Sequence, residues 1–162
     1  MLWAGYARAV MQPSQKERME HLNLTDIEAF FQPTLDDQKF NMVKEQNPES
    51  TFGATRTYEN GALQLTFVID RGHPYHYVQS VDSGPSLSLD SVYHWLTGER
   101  PSTEHRSKVE PLAALLATRY TEVIQAVCDD GAKVAAEAER FNKEWLRRWR
   151  TEASSPQTDG AA

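Results

Sequence analysis

"YENGALQLTFVIDRGHPYHYVQSV", residues 58–81, decides the fold. Leu63, Leu65, Phe67 and Ile69 alternate with Gln64, Thr66 and Val68, the period of two that a half-buried strand requires. Asn60-Gly61 before it predicts a hairpin with a type I′ turn, because both residues tolerate the positive φ that such a turn demands. "DRGHP" supplies a second turn, with Gly72 free to take a left-handed conformation and Pro74 resetting the chain. "YHYVQSV" returns as a strand, and "TFGATRTY" at 51–58 leads in. The centre reads as an antiparallel meander of three strands.

Working outward, the pattern turns helical on both sides. Leu2, Trp3, Tyr6 and Val10 lie at helical spacing, and a second helix follows Pro13 over "QKERMEHL". Thr25 with Glu28 has the form of a capping box, which opens a short helix "TDIEAFF" ended by Pro33. "TLDDQKFNMVKEQ" reads as another helix, stopped by Asn47-Pro48. Downstream, Leu89, Val92, Tyr93 and Leu96 fall at i, i+3, i+4 and i+7, with Gly98 at the C-cap. "ERPSTEHRSK" is a polar loop. From Pro111 a helix runs through Leu112, Leu115, Leu116, Val123, Ile124 and Val127, and Gly131 breaks it from a second run through Val134, Ala138, Phe141, Trp145 and Trp149. The fold class is α+β: a helical N-terminus, a central three-stranded antiparallel meander, and C-terminal helices packed on the sheet. Residues 1–151 form a single domain and 152–162 a disordered tail.

The bulk numbers restrict function. With 162 residues, 40% of them hydrophobic, the chain is long enough to bury one core. A formal charge of -6 disfavours a general attraction to phosphate backbones and suits a protein partner better than nucleic acid. The single cysteine, Cys128, excludes an internal disulfide and a Cys-based zinc ribbon. It extends an apolar helix face and reads as a packed thiol. "MLWAGYARAVMQ" lacks the layout of a signal peptide, and no apolar run is long enough to span a bilayer. The expected location is the cytoplasm.

Chemistry concentrates in residues 67–80. A metal there would require His73 and His76 to converge, but an odd spacing along a strand sends side chains to opposite faces. Asp70 and Gly72 therefore read as turn makers, decorated by Arg71 and the histidines. No P-loop, GxSxG or GxGxxG string occurs. In "RFNKEWLRRWR", basic residues interleave with aromatics, and residues 132–152 hold six basic and four acidic side chains, a net of +2 that leaves -8 for the rest. Phe141, Trp145 and Trp149 follow at steps of four, one helix face that packs on the body, on a second copy or on a partner.

Tyr58, Leu65, Phe67, Asp70-Arg71-Gly72 and Leu89-Asp90-Ser91-Val92 with Leu96 carry a family resemblance. Residues 58–98 resemble small bacterial immunity-type proteins of polymorphic or contact-dependent toxin systems. The resemblance implies a non-enzymatic protein that binds a cognate toxin and blocks it, and the acidic charge suits a basic toxin domain.

These readings lead to a cytosolic protein-binding module, most concretely a toxin-neutralising one, with no cofactor, no nucleic acid and no membrane. Its expected contact residues are Asp70, Arg71, His73, Tyr75, Tyr77 and Trp95, since arginine and aromatics are enriched at interface hot spots. Two alternatives stand beside it. One is a small metal-dependent or acid-base hydrolase using Asp70, His73 and His76; the other is a homo-oligomeric structural or regulatory protein joined, as a homodimer, through Phe141, Trp145 and Trp149.

Overall fold

The structure, a computed structural model, describes residues 23–50, 52–101 and 105–154. The helices expected before residue 23 lie outside the described residues. The strand Leu63–Asp70 (β3) buries Leu63, Leu65, Phe67 and Ile69 and leaves the alternate side chains partly exposed, as its sequence dictates. It pairs antiparallel with Ala54–Glu59 (β2) on one side and His73–Ser80 (β4) on the other, with Phe67 opposite both Arg56 and His76. These are the three strands of the expected meander.

The sheet is larger than that meander, however. Asn41–Gln46 (β1) pairs with β2 and the two-residue Leu87–Ser88 (β5) pairs with β4, giving five antiparallel strands in the order β1-β2-β3-β4-β5. The helix expected over 34–46 is therefore corrected. Its first residues end the helix Leu24–Asp37 (α1), which Lys39 stops by adopting φ 56. Lys39 N–H donates to Asp36 O at 3.2 Å and Phe40 N–H to Leu35 O at 2.9 Å, the paired bonds of a Schellman cap. The chain then leaves as an edge strand whose residues are all exposed and whose register is broken by a bulge between Met42 and Lys44. β5 is too short to show a periodicity.

Helix α1 also starts differently from expectation. Asn23 and Asp26 form the capping box, Asp26 N–H donating to Asn23 Oδ1 at 2.9 Å, while Glu28 turns inward. This register puts Leu24, Ile27, Phe31 and Leu35 on the buried face, and Pro33 lies inside the helix rather than at its end. Leu89–Thr97 (α2) is capped by Ser88 and closed by Gly98 at φ 74, whose N–H donates to His94 O at 2.8 Å. His105–Thr118 (α3) begins before Pro111, in residues read as loop.

Tyr120–Ile124 (α4) continues into a π-helical turn, Gln125–Asp129, closed by the Asp130 N–H to Gln125 O bond at 3.1 Å. The wider turn inserts a residue and rotates Cys128 off the apolar face. Cys128 is exposed rather than packed, while Val123, Ala126 and Val127 stay buried. Asp130 leaves helical geometry at φ -107 and ψ 9, so the break expected at Gly131 is present, and Gly131–Ala153 (α5) starts anew. That helix runs past residue 151, and residues 155–162 lie outside the described residues. One core cluster joins the helices to the inner face of the sheet.

Candidate functional site

The β3–β4 hairpin turns through only Arg71 and Gly72, between Asp70 and its ladder partner His73. Arg71 has φ 50 and Gly72 φ 79, the two positive values of a type I′ turn. This primed turn is the one the sequence reading assigned to Asn60-Gly61. Neither of those residues has positive φ; instead Asn60 Oδ1 accepts from Ala62 N–H and Leu63 N–H, both at 2.9 Å, and the side chain closes the turn. Asp70, Arg71 and His73 thus share an exposed hairpin tip.

From that tip β4 sends His73, Tyr75, Tyr77 and Gln79 to the side of the sheet away from the helices, and Pro74, His76, Val78 and Ser80 into the core. Tyr75 and Tyr77 are 40% and 37% exposed. They stand opposite Val68 and Thr66 of β3, about 7 Å apart along the strand. Next to them the Thr57 and Thr66 hydroxyls meet at 3.2 Å. At the far end a polar ladder crosses three strands, Gln79 Nε2 donating to Gln64 Oε1 at 2.9 Å and Gln64 Nε2 to Glu59 Oε2 at 3.1 Å. The two tyrosines thus lie between the charged tip and this polar base.

The two histidines are separated as the strand period requires. His73 is exposed at the tip, whereas His76 is 4% exposed and lies between Phe31 and Phe67, with ring centroids 5.5 and 5.9 Å away. Neither of its nitrogens has a hydrogen-bond partner. Burial first, then the positive charge of Lys108, hold the ring neutral, its pKa pushed down from 6.5 to about 3. Asp70, His73 and His76 therefore do not converge. Among the described residues no group of three or more His, Cys, Asp or Glu side chains is arranged to hold a metal ion.

The remaining expected residues fall elsewhere. Trp95 is exposed on α2, in the helical layer, and is not brought to the tyrosine face. The stripe on α5 divides. Phe141 is half-buried, with the Arg100 guanidinium 3.7 Å from its ring centroid and His94 at 4.8 Å. Trp145 and Trp149, one turn apart, are 49% and 56% exposed, and α5 has no buried residue beyond Val134. Its end carries Arg147, Arg148 and Arg150 among these tryptophans.

One polar cluster had no signal in the sequence. Arg56 Nη1 meets the buried Glu28 at 2.8 Å and its Nε meets Glu45 at 2.7 Å, joining α1, β2 and β1. Burial opposes the Arg56 charge, but the two carboxylates outweigh it and raise its pKa. Burial, and then the Glu28 carboxylate, push the Tyr58 hydroxyl up to about 12. Only the register of two strands and a helix brings these residues together, so no spacing in the chain announces them.

Comparison with protein-family models, with curated proteins and with solved structures returns no match to this chain. Among the described residues no helix is long and apolar enough to cross a membrane.

Proposed function

We propose that this chain works by binding another protein through the Tyr75–Tyr77 face, in its most concrete form as a toxin-neutralising protein of the immunity type. The observation that carries the docking reading is the pair of exposed tyrosines on alternate positions of one strand, flanked by the Arg71 tip. β4 is paired with β3 along its whole length and with β5 at Tyr77 and Val78. Tyrosine has only two side-chain torsions to fix, and a paired strand has little freedom left, so docking costs little ordering entropy. The net charge of -6 favours a basic partner. The toxin assignment rests on the resemblance of residues 58–98.

The test is capture of the partner from the native host by the tagged protein, followed by reassembly from the two purified components. Tyr75→Ala with Tyr77→Ala abolishes capture, and Trp145→Ala with Trp149→Ala retains it. Capture that survives the tyrosine pair and is lost with the tryptophan pair overturns the assignment of this face.

A second reading, self-association, is favoured by the exposed Trp145 and Trp149. Under it the protein sediments as a dimer that the tryptophan double variant converts to a monomer.

A further inference from the structure

Between α2, α3 and α5 lies a groove of about 340 Å³, lined by Asp90, His94, Arg100, Lys108, Phe141 and Asn142 among others. That volume is in the range that takes a small ligand. Its electrostatics are uneven. Lys108 is neutralised by its ion pair with Asp90, and Glu137, which faces His94, is paired with Arg140 at 2.5 Å. Among the described residues no carboxylate pairs with Arg100.

The groups around that charge are also fixed in place. The Arg100 guanidinium carbon lies over the Phe141 ring, 3.7 Å from its centroid, a cation–π contact that leaves N–H donors for a ligand. His94 Nδ1 donates to Glu99 O at 3.2 Å, a bond that requires the proton on Nδ1 and holds the ring in place. Ser88 and Ser91 are occupied with each other at the start of α2, Ser91 N–H donating to Ser88 Oγ at 3.2 Å and the two hydroxyls meeting at 2.7 Å, so they line the groove without offering it a free backbone donor. Asn142 adds a neutral amide. Ala138 and the Phe141 ring supply the apolar lining.

We infer that this groove binds the oxyanion head of a small aromatic or aliphatic acid, a carboxylate or a phosphate monoester, on the Arg100 guanidinium. It is a different surface from the tyrosine face, and the inference stands whether or not that face docks a protein.

Phenyl phosphate and benzoate, which share a ring and differ in the head, are titrated separately into the ¹⁵N-labelled full chain. Saturable shifts are expected at Ser91, His94, Arg100 and Asn142 with at least one of them, and the tighter probe identifies the head. Arg100→Ala, an exposed position that leaves the fold intact, weakens binding at least tenfold, and Asn142→Asp weakens it in the same direction by placing a second carboxylate in the groove. Shifts that fail to saturate with both probes, that centre on Arg147, Arg148 and Arg150, or that saturate equally in Arg100→Ala overturn the inference.

Discussion

Asn60 Nδ2 donates to the Tyr120 hydroxyl at 2.7 Å and ties the β2–β3 turn to α4, 60 residues further along the chain. The same amide nitrogen donates to Gln38 O at 2.9 Å, while Asn60 Oδ1 serves the turn. One side chain thus links the end of α1, the turn and α4. A turn residue of this kind contributes more than its local geometry, because each bond lost leaves a partly buried polar group unpaired.

Asn60→Ala is expected to lower stability by about 2–3 kcal/mol, and Tyr120→Phe by about 1 kcal/mol. Urea unfolding of the two single variants and the double variant measures their coupling. A coupling energy near zero contradicts the shared junction.

Arg71 occupies the first position of the type I′ turn at φ 50, where an arginine is strained and asparagine is not. Arg71→Asn is expected to stabilise the protein by about 0.5–1 kcal/mol, read as a rise in the urea midpoint at constant slope. If this tip also touches the partner, the same variant binds more weakly while folding better.

His76 makes stability depend on pH in a defined direction. Its folded pKa, about 3, lies below its unfolded value of 6.5, so between these limits the unfolded chain holds more protons. The stability is present in full above about pH 6.5 and falls by about 1.4 kcal/mol per unit as the pH drops toward 3. His76→Leu removes this component, and the difference between variant and wild type isolates it from the carboxylates. A wild-type-minus-variant difference that is flat from pH 7 to 4 contradicts the burial of a neutral imidazole.

Trp145→Ala with Trp149→Ala is expected to change stability by less than about 0.5 kcal/mol, because both rings are more exposed than core positions. Thermal unfolding checks this. A loss comparable to that of a core aromatic shows that these rings pack on the body after all.

Much of the architecture was legible in the chain. The alternation of Leu63, Leu65, Phe67 and Ile69 set the central strand and its inner face, and Gly98 marked the end of α2. The end of α1 was not legible: Lys39 adopts positive φ without being glycine, so the helix stops where no glycine or proline announces it. Met42 and Val43 fell in helical line with Leu35 yet belong to an edge strand, because the cap at Gln38 and Lys39 had already ended the helix. For the site, the period of two correctly separated His73 from His76 and aligned Tyr75 with Tyr77. It carried nothing about Arg100 meeting Phe141, a contact between a loop and a helix that only the tertiary packing of α2 on α5 creates.

Docking through Tyr75 and Tyr77 is measured by calorimetric titration of the captured partner with the purified wild type and the Tyr75→Ala/Tyr77→Ala variant. Hot-spot aromatics typically contribute about 2 kcal/mol or more each, so affinity is expected to fall by at least about a hundredfold, with thermal stability essentially unchanged. An unchanged affinity in a fully folded variant contradicts the account.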